Sequence, residues 1–381
     1  MTSNDIKLNR YIGPGPAIKE QLELRGWTQE DLSDILGMSL KSINKLLLNK
    51  QSITIDTAKM LAEVFDVSPQ KWINLDTNYR LSLKETTTIS PVRVKSELYK
   101  YMPINELFKK GWLKRTSFVE ELEKQIMIFW GKKTLDFTFL DKTIAAVNYR
   151  KSSAHSQYNH YAAETWCQMA KNSAALFKVK KFDKNKLEKI LSKIHSYTII
   201  ENGVEVFLED INNVGVIFMC LPHLQKTYID GAAFIINETP VIVYTGRYKR
   251  FDNFWFTVAH EIAHILKGHI DNNGECIIDD LHSKGIESEI DEKEKEANDL
   301  ANEVLLHNQI VNYLDNSLNY LMENDIYKCA EKFGIHPSII IGALAHRKVI
   351  SFAHLHTFNK DIMPLIPKKY FVENYSTKKA A

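Results

Sequence analysis

Two histidines in the segment FWFTVAHEIAHILKG, His260 and His264, are separated by three residues, and Glu261 directly follows the first. On a helix such histidines lie one turn apart on one face, so both imidazoles can bind one zinc ion. Zinc would activate a water molecule, and Glu261 is placed to take its proton and later to protonate a leaving amine. Composition alone produces this pattern in only about a few per cent of such chains. We therefore prefer a zinc-dependent peptidase site to a chance pair of core histidines.

A third ligand is needed, because hydrolytic zinc sites usually have three protein ligands. The helical segment EKEANDLANEVLLH places Glu294 and Asn298 four residues apart. This spacing lets Glu294 bind the metal while Asn298, one turn further on, hydrogen-bonds a ligand histidine. Glu296 points to another face of that helix and is our second choice. A glutamate ligand on a second helix is the arrangement of a gluzincin.

A third histidine ligand directly after the motif is not expected. The metzincin pattern requires glycine at position 267 and histidine at position 270, where this chain has Lys267 and Ile270. His269 lies about half a turn away from the face that the two motif histidines share. We therefore expect His269 to point away from the metal.

The helix that bears the motif is expected to be buried. Four apolar residues surround the motif: Phe254, Val258, Ile262 and Ile265. Asp252 or Asn253 offers an N-cap for this helix, and Gly268 is placed to end it. Strands must lie before it, because the runs VGVIFM, GAAFII and PVIVY are rich in β-forming residues.

The last two of these strands are expected to form a hairpin across Asn237 and Glu238. The strand over 231–236 is predicted to be an edge strand that pairs with an extended substrate. The reaction also needs a second group to stabilise the oxyanion. The sequence leaves four candidates for that role: Tyr228, His307, His336 and His346.

The first 80 residues contain the pattern of a helix-turn-helix. Thr28 begins one helix, Gly37 supplies the turn, and Ser39 begins the recognition helix. No acidic residue lies between Asp34 and Asp56, which leaves this segment locally positive. The side chains expected to contact DNA are Gln29, Lys41, Ser42, Asn44 and Lys45. The alternative is a helical module that binds protein, since helix-turn-helix units also serve that purpose.

Bulk composition is that of a globular chain with several domains. The 381 residues are 44% hydrophobic and 25% charged, and the net charge is +2. No apolar run approaches the roughly 20 residues of a membrane span, and the N-terminus lacks the hydrophobic stretch of a signal peptide, so we expect a cytoplasmic protein without a membrane partner. The four cysteines are widely spaced, which indicates neither a disulfide framework nor a thiolate metal site.

These patterns predict an α+β fold with an all-α N-terminal domain. We assign residues 1–81 to the helix-turn-helix, with the boundary in the stretch SLKETTTISPV, and 82–200 to a linker and helical region. The zinc peptidase core is assigned to 201–312, as a mostly helical domain with a small β-sheet. Residues 313–381 form a C-terminal helical region in this scheme.

Residues 13–81 resemble the HigA-type antitoxin domain of the lambda-repressor-like helix-turn-helix class. The resemblance lies in GPGPAIKEQLELRGWTQEDLSDILGMS and ITIDTAKMLAEVFDVSPQKWINLDTNYRL. Members of that class usually have Asn-Gly after the recognition helix, where this chain has Leu48 and Asn49. Asparagine can still adopt the left-handed conformation that such a helix end requires.

Residues from about 145 to 360 resemble the ImmA/IrrE family of metallo-endopeptidases. The resemblance lies in NYRKSSA, GVIFMCLP, DGAAFIINETPVIVYTGRYKRFDNFWFTVAHEIAHIL, EKEANDLANEVL and AEKFGIHPSIIIGALAHRKVI. It implies zinc at His260, His264 and Glu294, with Glu261 catalytic. His307 departs from the Ile or Met that is common at its position.

The resemblance also suggests a biological role, because family members typically cleave or control a repressor or regulatory protein. We expect a homodimer that binds its own promoter and cleaves a regulatory partner, such as a repressor or a toxin-antitoxin component. The alternative is a non-catalytic, HigA-like antitoxin or repressor whose zinc only stabilises the fold. Glu261 favours the enzyme, because a structural zinc site needs no base there.

Overall fold

The computed structural model describes residues 13–83, 90–141, 158–270, 276–279, 289–315, 321–350, 358 and 360–372. The chain divides into two compact units, Met1–Ser90 and Pro91–Ala381. The first is all-α and the second combines helices with a small sheet, so the predicted α+β class is confirmed. The finer division of the second unit at residues 200 and 312 stays a prediction.

Within residues 13–83, the first unit contains five helices around one apolar core. They are α1 (Pro14–Arg25), α2 (Gln29–Leu36), α3 (Leu40–Leu47), α4 (Ile55–Phe65) and α5 (Pro69–Ser82). Thr28 caps α2 as predicted, because its hydroxyl accepts a hydrogen bond from the Asp31 amide at 3.1 Å. Gly37 ends α2 with φ 62°, and the Ser39 hydroxyl caps α3. Local sequence signals therefore define the two helices of the helix-turn-helix.

The end of α3 depends on Asn49. This residue has φ 56°, which confirms that asparagine adopts the left-handed conformation where glycine is usual. Its side-chain oxygen accepts a hydrogen bond from the backbone amide of Gly15 at 2.7 Å. Asn49 thus ends the recognition helix and also fastens the start of α1 to it.

The second unit begins with helices and continues into the sheet. The helices before the sheet are α6 (Pro91–Tyr101), α7 (Ile104–Lys109), α8 (Val119–Trp130), α9 (His160–Ala174), α10 (Lys184–Leu191), α11 (Ile194–Tyr197) and α12 (Gly203–Asn213). The strands are β1 (Ile217–Cys220), β2 (Gly231–Ile236), β3 (Thr239–Tyr244) and β4 (Ile277–Asp279). The later helices are α13 (Phe251–Lys267), α14 (Glu289–Val304), α15 (His307–Leu314), α16 (Glu323–Phe333) and α17 (Pro337–His346). Two short 3₁₀ helices, Met363–Leu365 and Lys368–Tyr370, follow.

The sheet has the order β1-β3-β2-β4, with β1 parallel to β3 and the other pairs antiparallel. The predicted hairpin of β2 and β3 is confirmed. Alternate residues of the strands point to opposite faces, so Phe218 joins the core beneath α13 while Met219 joins a second core with α6–α9. The sheet therefore lies between two helical layers, and α6–α9 cover one of its faces.

The prediction that β2 is an edge strand is wrong. Gly231, Ala232 and Ala233 pair with β3 on one side and with β4 on the other. β4 is formed by residues 277–279, which follow the motif helix in sequence. The edge of the sheet on this side is therefore β4, because a sequence-distant strand covers β2.

The motif helix α13 is buried from Phe251 to Ile265, as its apolar pattern predicts. Its N-cap is Arg250, so the prediction of Asp252 or Asn253 is wrong. The first helical amide, that of Phe251, donates to the carbonyl of Lys360 at 2.9 Å, and a distant segment thus replaces the side-chain cap. The end at Gly268 is confirmed, with φ 71°.

Two sequence features lie outside the described residues: part of the predicted linker, at 84–89, and the segment NYRKSSA. The four cysteines are free thiols, with Cys276 half-buried and the others buried. None of the helices in the described part of the chain has the length and hydropathy of a membrane span.

Candidate functional site

Three potential metal ligands converge where α13 and α14 lie side by side. The Nε2 atoms of His260 and His264 are 2.9 Å apart. The Oε2 atom of Glu294 is 3.3 Å from Nε2 of His260 and 3.8 Å from Nε2 of His264. Both rings are fully buried, while the Glu294 side chain is 28% exposed. The structure thus brings together the three residues that we predicted as ligands.

The geometry and chemistry of these donors fit a tetrahedral zinc ion. Ligands about 2.0–2.1 Å from zinc lie about 3.3 Å from one another in a tetrahedron. The three observed separations, from 2.9 to 3.8 Å, lie on either side of that value. Two imidazoles and one carboxylate form a common ligand set of hydrolytic zinc sites, with the fourth position left for water.

The outer nitrogen of His260 contacts Asn298. The distance from His260 Nδ1 to Asn298 Oδ1 is 3.1 Å. An imidazole that binds metal through Nε2 has its proton on Nδ1, and the amide oxygen is an acceptor for that proton. Asn298 therefore has the position that its spacing from Glu294 predicts.

His264 also has a partner at its outer nitrogen, and the sequence did not reveal it. His269 is not among the three grouped ligands, as expected, but its Nδ1 lies 3.0 Å from His264 Nδ1, a contact that the helical spacing did not predict. The other ring nitrogen of His269 is 3.1 Å from Oε2 of Glu296. Burial lowers the pKa of His269 below its usual value, which favours the neutral ring. Glu296, our second choice as ligand, contacts this histidine.

Glu261 is fully buried next to the ligand histidines. Its carboxylate lies against Gly231 at the start of β2, and a methyl group at Gly231 would overlap it. That methyl group would also lie 2.6 Å from Cγ2 of Thr257. The absence of a side chain at residue 231 therefore makes the space that the Glu261 carboxylate occupies.

Two of the four candidate oxyanion groups lie beside the ligand helix. The rings of His307 and His346 stack on Phe256, with centroid distances of 5.7 and 5.2 Å, and the centroid of His260 is 6.3 Å from the same ring. Nδ1 of His307 is 2.7 Å from the side-chain oxygen of Asn302. Burial lowers the pKa of His307 to about 3, so this ring is neutral at neutral pH.

The other two candidates have structural contacts elsewhere. His336 accepts a hydrogen bond from the Ser338 amide at 3.1 Å and thereby caps α17. The carbonyl of Tyr228 accepts a hydrogen bond from Arg247 at 2.6 Å, and the guanidinium lies 5.2 Å from the centroid of the tyrosine ring. Both residues therefore have structural contacts in the fold.

Four of the five residues predicted to contact DNA are exposed. Lys41, Asn44 and Lys45 are exposed on α3, and Gln29 is exposed at the start of α2. Ser42 is half-buried, and its hydroxyl lies 2.9 Å from that of Ser39. The inward residues of α3 are those predicted: Ile43, Leu46 and Leu47.

One exposed residue of the recognition helix was missed. Leu40 is the first residue of α3 and is 45% exposed. An apolar side chain at this end of a recognition helix can contact the methyl group of thymine. The sequence could have indicated this exposure, because Leu40 directly follows Ser39, the predicted N-cap of the helix.

Comparison with known proteins agrees with both units. Residues 18–72 match a family described as helix-turn-helix, and residues 201–344 match the IrrE N-terminal-like domain. Virulence-associated protein I of Dichelobacter nodosus is 33% identical over 75 residues, which cover 19% of this chain and 69% of that protein. An uncharacterized HTH-type transcriptional regulator of Haemophilus influenzae is 35% identical over 63 residues, which cover 16% of this chain and 59% of that protein. No solved structure matches the chain.

Proposed function

We propose that the chain is a DNA-binding regulator with zinc-dependent endopeptidase activity, because residues 18–72 match a helix-turn-helix family and residues 201–344 match the IrrE N-terminal-like domain. The supporting observation is the convergence of His260, His264 and Glu294 beside the buried carboxylate of Glu261. Both elements of the proposal, a hydrolytic metal site and a DNA-reading helix, are then present in one chain.

In this proposal His260, His264 and Glu294 hold the zinc ion. A bound zinc ion would polarise the scissile carbonyl and activate a water molecule. Glu261 would accept a proton from the attacking water and later donate it to the amine of the leaving peptide. Its burial excludes competing solvent, and its carboxylate packs against Gly231. His307 or His346 is the group that stabilises the oxyanion, because both flank the ring of Phe256.

The DNA-binding role rests on the exposed face of α3. Lys41 and Lys45 contact phosphate groups, whereas Asn44 contacts a base edge. Operator symmetry makes a homodimer the expected form on the promoter of its own gene. The relative from Haemophilus influenzae is described as a transcriptional regulator, which supports this assignment.

The proposed substrate is a regulatory protein, such as a repressor or a component of a toxin-antitoxin pair, and the proposed location is the cytoplasm. The test is to capture partners with Glu261→Gln protein, whose side chain has a similar shape but cannot accept the proton. General acid–base catalysis contributes about 10²–10⁴-fold, so the variant should bind an uncut partner that wild-type protein shortens. Partner length is followed by mass spectrometry.

Glu292→Gln is the matched control, because Glu292 is exposed on α14 and should leave cleavage unchanged. Zinc content and promoter binding should survive in both variants. The opposite result would be that partners stay intact with wild-type protein under inducing conditions while Glu261→Gln regulates the promoter normally. That result would favour a non-catalytic antitoxin or repressor with a structural zinc ion.

A further inference from the structure

A chain of hydrogen-bonding groups extends from His264 to the surface of α14. His264 Nε2 faces His260 and Glu294, which leaves Nδ1 for a contact on the other side of the ring. That contact is His269, at 3.0 Å between the two Nδ1 atoms. When His264 has its proton on Nδ1, it donates to Nδ1 of His269.

The next link is Glu296. With Nδ1 as acceptor, the ring N–H of His269 is on Nε2, which lies 3.1 Å from Oε2 of Glu296 and donates to it. The donors and acceptors therefore alternate without conflict from His264 to the carboxylate. The Glu296 side chain is 58% exposed, so the chain of groups ends at solvent.

The backbone of His269 is held at the end of α13. Its amide donates to the carbonyl of His264 at 3.0 Å, directly after the left-handed turn at Gly268. Its carbonyl accepts a hydrogen bond from the Lys293 ammonium group at 3.2 Å. The ring is thus fixed by contacts with both helices of the metal site.

We infer that His269, supported by Glu296, is a positioning residue that holds His264 in the tautomer and orientation needed to bind zinc. The inference rests on the proposed zinc site and adds residues to it that the motif does not contain. Outer partners of this kind fix the ring of a ligand histidine and increase its basicity. Asn298 does the same for His260, so α14 supplies both a ligand and support for each histidine.

The test is the zinc affinity of the full chain, measured by competition with a chromophoric chelator. His269→Ala should weaken zinc binding by about 10- to 100-fold, and Glu296→Ala by about tenfold, as for other outer partners of metal ligands. His269→Gln should stay within about a few fold of wild type, because its amide can accept from His264 and donate to Glu296. Glu292→Ala is the control on the same helix and should not change the affinity.

The outcomes separate this inference from the proposed function. Wild-type protein that binds no zinc would overturn both. Tight zinc binding by wild type together with unchanged affinity in His269→Ala would overturn the inference alone. So would equal weakening in His269→Ala and His269→Gln, because a purely structural role would show no rescue by the amide. The melting temperature of each variant without zinc identifies any general loss of folding.

Discussion

Removal of the Glu294 carboxylate is the most direct test of the ligand set. Glu294 and Glu296 are two residues apart on α14, but only Glu294 lies within 3.8 Å of both ligand nitrogens. Glu296 contacts His269 instead. Glu294→Ala should therefore abolish most of the zinc affinity, whereas Glu296→Ala should lower it by about the tenfold typical of an outer partner.

The magnitude follows from the number of ligands. Structural zinc sites with four ligands bind with about 10–16 kcal/mol, or about 2.5–4 kcal/mol for each ligand. Loss of one ligand then raises the dissociation constant by about 10²–10³-fold. At free zinc about 100 times the wild-type constant, zinc stabilises wild-type protein by about 2.7 kcal/mol. The same zinc concentration should stabilise Glu296→Ala by about 1.4 kcal/mol and Glu294→Ala by at most about 0.4 kcal/mol.

The assay is urea unfolding of each protein with buffered zinc and with a chelator. Only the difference between the two conditions is compared, so changes in the stability of the metal-free fold cancel. Glu292→Ala should show the wild-type difference, because this residue is exposed. The ligand assignment would be refuted by a wild-type difference in Glu294→Ala, or by a larger loss in Glu296→Ala than in Glu294→Ala.

Three further predictions concern DNA binding, the catalytic carboxylate and acid stability. Lys41→Ala and Asn44→Ala should abolish gel shifts of the promoter without a change in melting temperature. The affinity of wild-type protein for the promoter should fall steeply with salt. Unchanged gel shifts in both variants would indicate a protein-binding module. Gly231→Ala should slow partner cleavage by about 10²-fold through displacement of the buried carboxylate, whereas Gly131→Ala, with φ 62° and open space, should lose stability and keep activity. Burial lowers the pKa of His307 to about 3, whereas an unfolded histidine has a pKa of about 6.5. Between these two pH values only the unfolded chain binds the proton, so the free energy of unfolding decreases as pH falls from about 6.5 towards about 3. The unfolding free energy of His307→Gln should decrease less over that pH range than that of wild-type protein. If the two proteins lost stability equally, His307 would not be the group responsible.

Local signals made the two halves of the site predictable. The spacing of His260 and His264 requires a helix, and the spacing of Glu294 and Asn298 requires a second one, so both helices follow from a period of 3.6 residues. The helix-turn-helix has similar local signals, since Thr28 caps its first helix. These features depend on residues within one or two turns of each other.

Long-range contacts explain the errors in the prediction. The start of α13 is set by the carbonyl of Lys360, more than a hundred residues further along the chain. The edge position of β2 is removed by β4. A capping side chain or an edge strand can be proposed from local sequence, but a distant segment that satisfies the same backbone groups cannot. The position of His307 beside Phe256 also depends on the packing of α15 against α13.

The direction of the His269 side chain could not be predicted from helical geometry. Its expected direction was obtained by continuing the helix beyond Gly268, but φ of 71° at that glycine ends the helix and returns the next ring to His264. Glu296 does face away from the metal, as helical geometry predicts, and its contact is understood only once His269 is in place. Helix α14 contributes Glu294 and also the side chains that contact His260 and His269. A shift of α14 along α13 would therefore alter a ligand and the contacts that orient both ligand histidines. The register of these two helices is therefore the structural variable that zinc affinity should follow most closely.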